Sequence, residues 1–163
     1  MRVACGGRRA RGRDATGPVP LTNGEARRKV RPMTTPEIPA SHKDLLNAPV
    51  GVLGTIGPSG RPQLSATWFL AEGDIVKFSL NTSRQKVKNL QANPKASFLI
   101  LDPANPYRYV ELRGDVEITP DDDYAFADKV GAKYGGANLR DRDQPGETRV
   151  VVTLKTARVI AWG

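Results

Sequence analysis

The sequence predicts a mainly β domain, a barrel or sandwich of about six short antiparallel strands with short helices at the connections. Two runs alternate cleanly between apolar and polar residues, at 62–70 and 108–118, which is the period of a strand with two different faces. Turn signals rich in Gly, Pro and Asp separate the apolar runs at short intervals. Regular strand–helix–strand units are absent, as are the GxGxxG, P-loop and nucleophile-elbow motifs of doubly wound sheets. The 163 residues, 39% hydrophobic and 26% charged, suit one domain.

The elements follow in order. Residues 41–47 predict a short helix, with Ser41 as N-cap, Asp44 in the first turn and Pro49 ending it. Val50 to Ile56 is a β-rich apolar run, and Gly57-Pro58-Ser59-Gly60 is a turn. In the next strand Gln63, Ser65 and Thr67 share one face, and Leu64, Ala66, Trp68 and Leu70 the other. Glu72-Gly73-Asp74 turns into a third strand, Ile75 to Leu80. These three strands are expected to form an antiparallel meander. Residues 82–92 predict a helix capped by Thr82 or Ser83, with Val87 and Leu90 inward and Asn93-Pro94 as its stop. Lys95 to Leu101 predicts a strand buried on both faces. Along 108–118, Val110, Leu112, Val116 and Ile118 face the core, and Gly114 marks a bulge or a close backbone approach. Thr119-Pro120-Asp121-Asp122-Asp123 predicts a helix start with Thr119 as cap, continued by Phe126, Val130 and Tyr134 and closed by Gly135-Gly136. Residues 137–146 are loop-like. Thr148 to Leu154 is a Val-rich strand that Arg158 to Trp162 continues or pairs beyond.

Composition removes several functions. No apolar run approaches the ~20 residues of a membrane span. One Cys and one His exclude a disulfide framework and Cys- or His-rich metal centres. The net charge of +8 is unevenly placed. Residues 1–36 carry nine basic and two acidic residues, against sixteen and fifteen over 37–163. The chain therefore divides into a basic N-terminal extension, 1–36, expected to be disordered, and a nearly neutral domain, 37–163. A nucleic-acid site on the fold would need a basic face. Neither nucleic acid nor membrane is an expected partner, although a polybasic arm that touches phosphates stays open. The extension lacks the apolar core of a secretory signal, Met33-Thr34-Thr35-Pro36 resembles an ordinary bacterial start, and a cytoplasmic location is expected.

One segment carries chemistry. Thr82, Ser83, Arg84 and Lys86 gather at a predicted helix start, where free backbone N–H groups and the positive dipole end favour an anion. Hydroxyls add neutral donors, Arg84 a two-pronged fork and Lys86 a point charge. Two cations there oppose the dipole, at up to ~1 kcal/mol each, and a bound phosphate offsets that repulsion. The alternative is a solvated basic helix face that includes Lys88. The small polar face Gln63, Ser65, Thr67 favours the anion, because such a strand can hydrogen-bond a flat heterocycle lying along it. No side chain stands out as a general acid. His42 is expected to be structural or solvated, and Asp102 and Glu111 to be surface or interface groups.

Four blocks in order, GVLGTIGPSGRPQLSATWF, SLNTSRQKVKNLQANPKASFLILDP, NPYRYVELRGDVEIT and RVVVTLKTARVIAWG, resemble the pyridoxamine 5'-phosphate oxidase-like split β-barrel superfamily. Within it they are most similar to the actinobacterial F420-dependent oxidoreductases, the B class of flavin/deazaflavin oxidoreductases. The resemblance spans residues 38–163 and implies a homodimeric split β-barrel with a cofactor at each subunit interface. It implies Thr82, Ser83, Arg84, Lys86 and Asn89 as contacts to the cofactor's phosphorylated tail, and Pro62, Gln63, Leu64 and Ser65 as neighbours of its ring. It places Ser79 near the ribityl chain, and Trp68, Tyr107, Tyr109 and Trp162 along the site, with interface or core packing as their alternative role. Lys88 or Arg61 would meet a polyglutamate tail. The block that binds pyridoxal phosphate in the oxidases is missing before Trp162-Gly163, so oxidation of pyridoxamine phosphate is not expected. The implied activity is hydride transfer between coenzyme F420 and a small unsaturated organic substrate. The alternatives are an FMN-dependent reductase or oxidase of the same fold and a non-catalytic F420- or FMN-binding protein. No catalytic side chain and no metal are assigned.

Overall fold

The computed structural model describes residues 36–163. The expected disorder of the basic extension falls on residues 1–35, outside the described residues.

A 3-10 helix, Ala40–Asn47, precedes the sheet. The strands are β1 (Gly51–Ile56), β2 (Pro62–Thr67), β3 (Leu70–Glu72), β4 (Ile75–Asn81), β5 (Lys95–Leu101), β6 (Tyr109–Pro120) and β7 (Arg149–Trp162). Helix α1 (Gln85–Ala92) links β4 to β5, and α2 (Ala125–Lys133) lies between β6 and β7, followed by a short 3-10 turn at Arg140–Arg142. All strands join one antiparallel sheet in the order β2-β1-β5-β6-β7-β4-β3.

That order corrects the expected meander. β1–β2 and β3–β4 are hairpins, but β2 and β3 sit at opposite edges. Only Trp68 and Phe69 separate them along the chain. Three peptide steps reach about 11 Å at most, so the sheet must curl until its two edges meet. The result is a split β-barrel. The single strand expected over 62–70 breaks because Phe69 is drawn into the core, fully buried. Its backbone leaves the ladder and is satisfied by two side chains: its N–H donates to Tyr134 Oη at 3.0 Å, and its carbonyl accepts from Tyr134 Oη and Lys133 Nζ, each at 3.1 Å.

The barrel interior is packed by Leu53, Phe69, Val76, Phe78, Phe98, Ile100, Val110, Leu112 and Leu154, closed by Val87 and Leu90 of α1. Phe98 meets Phe69 and Phe78 edge-on, with ring centroids 5.1 and 4.8 Å apart. A second cluster, Phe126, Ala127, Val130 and Leu139, seats α2. β5 is buried on one face only. Ala96, Phe98 and Ile100 point inward, whereas Ser97 and Leu99 are half-exposed on the outside.

Gly114 bears out the bulge. The β6–β7 register shifts between Arg113 and Gly114, and a Cβ on Gly114 would stand 2.0 Å from the Lys155 carbonyl oxygen. The helix caps differ from expectation. Pro39, not Ser41, precedes the first helix, and the Ser41 hydroxyl pairs with His42 Nδ1 at 2.9 Å. β6 continues through Pro120, so Thr119 is no cap. The buried Asp121 instead accepts the Phe126 and Ala127 amides at 3.0 and 2.9 Å, holding the α2 start from outside the helix. Arg84, not Thr82 or Ser83, is the α1 cap residue, and no side chain bonds that end.

Candidate functional site

The segment joining β4 to α1 makes a tight turn. Asn81 Oδ1 accepts the Ser83 amide at 2.8 Å, and the Asn81 carbonyl accepts the Arg84 amide at 3.1 Å. The Thr82 hydroxyl contacts the carbonyl and hydroxyl oxygens of Thr148, at 3.1 and 3.0 Å. α1 then begins with no acidic residue in its first turn and no capping side chain. Among the described residues, the Gln85 and Lys86 amides find no acceptor. The helix start is therefore open and positively polarised.

Arg84 is exposed and Lys86 half-buried. Among the described residues neither has a carboxylate oxygen within 4 Å. Lys86 Nζ donates to Thr67 Oγ1 at 2.9 Å. Burial, and secondly the Arg84 charge beside it, push the Lys86 ammonium below the usual lysine range. A half-desolvated cation without a counter-ion, beside open amides and an exposed guanidinium, suits a phosphate.

The face of β2 with Gln63, Ser65 and Thr67 is the inward one, and α1 lies over it. Asn89, almost fully buried, donates to Gln63 Oε1 at 2.8 Å and Thr55 Oγ1 at 3.1 Å, and accepts from Gln85 Nε2 at 2.9 Å. Asn89 thus ties α1 to β1 and β2. Thr67 is occupied by Lys86, while the Ser65 hydroxyl is buried and unpartnered. Pro62 and Leu64 point the other way, and Leu64 is 71% exposed. With Gly54 and Ser97, Leu64 borders two neighbouring grooves, of about 510 and 380 Å³, on the outer face of β2, β1, β5 and β6, and Pro62 borders the larger. Residues 82–86 line neither groove.

The aromatic candidates divide. Tyr109 pairs with Trp162 across β6 and β7 and borders the smaller groove. Trp162 and Tyr107 are largely exposed. Trp68 belongs to another set of contacts: it stacks on Tyr134 with centroids 4.3 Å apart, and the Arg142 guanidinium lies 4.6 Å from its ring. His42 is buried rather than solvated, with Nε2 on the Trp162 carbonyl at 3.1 Å. Asp102 accepts from Arg108, and Glu111 from Arg113. Of the tail contacts extended from the resemblance, Lys88 and Arg61 are both exposed.

Sequence reasoning missed a polar node beside the α1 turn. Arg149, buried at the start of β7, grips both Asp143 oxygens at 2.6 and 2.8 Å, and its Nη1 donates to the Ser79 hydroxyl at 3.3 Å. Burial pushes the Asp143 carboxyl up, but hydrogen bonds from Arg149, Asn81 and Tyr124 outweigh it and hold it below the usual carboxylate range. The only sequence signal was Asn81 two residues before Ser83, the spacing of an Asx turn.

A curled antiparallel sheet with an open cationic helix start defines a split-barrel protein equipped to hold an anion. A family model described as pyridoxamine 5'-phosphate oxidase matches residues 38–163, and the chain belongs to this family. A solved protein named F420 reductase is 37% identical, over 76% of this chain and 98% of its own, with a TM-score of 0.67. A conserved hypothetical protein, Rv2991 of Mycobacterium tuberculosis, is 28% identical over 81% of this chain and 88% of its own, with a TM-score of 0.63. A heme binding protein of Mycobacterium smegmatis, 23% identical over 77% of this chain and 55% of its own, with a TM-score of 0.58, shares the fold.

Proposed function

We propose that this protein is an F420-dependent oxidoreductase. It holds the deazaflavin's phosphorylated tail at the α1 start and reduces a small, electron-poor unsaturated organic molecule. The observation that carries the reading is the Arg84–Lys86 pair, two cations at an open helix start with no carboxylate partner among the described residues. The donor set fits a phosphate: the Gln85 and Lys86 amides, the Arg84 fork and the Lys86 point charge, while the Ser83 hydroxyl is engaged by the Glu147 carboxylate. Likeness to a protein named F420 reductase supports the deazaflavin over other flavin-type cofactors. FMN would present a phosphate to the same turn and is the alternative. Histidine ligation of a heme is disfavoured, because both ring nitrogens of buried His42, the chain's one histidine, are already hydrogen-bonded.

When bound, the reduced deazaflavin supplies a hydride, and the protein supplies binding and orientation. β2 is an edge strand whose free backbone groups offer hydrogen bonds to a ring. The exposed Leu64 and the grooves around it suit a second copy of the chain, in line with a homodimer. Proton supply falls to solvent or to Tyr107 or Tyr109.

The test is a fluorescence titration of the full chain with F420 and FMN, then turnover of the reduced complex against activated alkenes. Tight F420 binding with alkene reduction is expected. Binding of FMN alone, or F420 binding with no turnover of any acceptor, would replace the proposal by one of its alternatives.

A further inference from the structure

The polar node behind the α1 turn joins two candidate cofactor contacts that lie on different elements. Ser79 is on β4 and Ser83 opens the turn into α1. Arg149 Nη1 donates to the Ser79 hydroxyl at 3.3 Å, and its Nε and Nη2 clamp Asp143. Asp143 Oδ1 accepts from Asn81 Nδ2 at 2.8 Å, and Asn81 Oδ1 accepts the Ser83 amide at 2.8 Å. Asn81 Nδ2 also donates to Glu147 Oε2 at 2.6 Å. Asn81, Asp143 and Arg149 are all buried.

We infer that Asn81 is a positioning residue, which presets the Ser83–Lys86 turn for a phosphate by locking it to the 143–147 loop. The inference rests on the phosphate reading above. The chemistry of the position is restrictive. Its side chain must donate twice, to two carboxylates, and accept once, from a backbone amide. A neutral primary amide does all three. An aspartate there would keep the acceptor but lose both donors, and would set three carboxylates together. A merely structural residue would need no such link, since Arg149 already neutralises Asp143. The link matters for a ligand because the turn's other contacts are few: Thr82 leans on Thr148, the Ser83 hydroxyl on Glu147, and α1 has no capping side chain, so the direction of the free Gln85 and Lys86 amides that follow depends on Asn81, which accepts the Ser83 and Arg84 amides. Preorganised donors bind an anion without the cost of ordering the loop at the moment of binding.

The experiment compares F420 with its phosphate-free deazaflavin riboside, using the full-length chain and Asn81→Ala, with Asn81→Ser as a second variant if the first does not fold. Positioning of the phosphate turn predicts F420 binding weakened at least tenfold, with riboside affinity unchanged within twofold. Equal losses for both ligands would mean that Asn81 only supports the fold, and no loss for either would mean that the turn is set without it. Either result overturns the inference. The same titration on Arg84→Ala/Lys86→Ala separates the two levels. If that variant binds F420 like the wild type, the phosphate reading itself fails. If it weakens F420 while Asn81→Ala does not, only the positioning role fails.

Discussion

Replacing Arg149 by Met tests the energetics of the buried node. Arg149 and Asp143 have side chains only 7% and 5% exposed, and they share two parallel hydrogen bonds of 2.6 and 2.8 Å. Methionine approximates the arginine stem without its charge, so the change leaves Asp143 buried with Asn81 and Tyr124 as its remaining donors. Breaking one side of such a pair costs ~3–5 kcal/mol, a large share of the ~5–15 kcal/mol that holds a domain folded. For a domain of this size that is roughly 10–20 °C in Tm. The pH dependence has a fixed sign. Asp143 is held below the usual carboxylate range in the folded protein, so its stabilisation is present above the unfolded value of about 3.9 and is lost as pH falls through the folded one. The assay is thermal unfolding by circular dichroism of R149M, Asp143→Leu and the double variant, at neutral pH. Each single variant should lose several kcal/mol, and the double clearly less than their sum. Additive losses, or a single loss under about 1 kcal/mol, would show that the pair is not the buried, coupled unit described.

Two further outcomes are expected. Gly114→Ala puts a methyl group against the backbone of Lys155 and Ala157, which no rotamer can relieve, and should cost about 1–3 kcal/mol in urea unfolding; an unchanged midpoint would contradict the bulge geometry. Lys86 titrates below the usual lysine range, so phosphate binding should weaken as pH rises through that lowered value, where the ammonium is lost. Lys86→Arg, which stays charged throughout, should flatten the alkaline limb of the F420 affinity profile, and coincident wild-type and variant profiles would count against Lys86 as a phosphate contact.

Much of the barrel was legible because its signals are local. Alternation in β6, the Gly57–Gly60 and Gly73-Asp74 turns and the glycines after α2 act within a few residues, and the structure keeps them. The break at Trp68-Phe69 was not legible. Nothing in the alternation of 62–70 shows that Tyr134, 65 residues later, will take over both backbone groups of Phe69. The α2 cap was misread for a related reason: Thr119-Pro120-Asp121 fits a local helix start, but pairing with β7 keeps Thr119 and Pro120 in the sheet and turns Asp121 into a remote cap. At the candidate site, the charged turn could be read from TSRQK. The Asn81–Asp143–Arg149 node could not, because an acidic residue in a polar loop and an arginine opening a strand look like surface residues until the fold closes over them.

The central claim is that Arg84 and Lys86 hold a phosphorylated cofactor tail, and equilibrium titration of F420 into Arg84→Ala/Lys86→Ala measures it most directly. Each charge-assisted contact is worth ~1.5–3 kcal/mol, less for the exposed Arg84. The account predicts a combined loss of about 2–4 kcal/mol, roughly 30- to 700-fold in Kd, with Tm of the free protein little changed. A double variant that binds F420 as tightly as the wild type would contradict it.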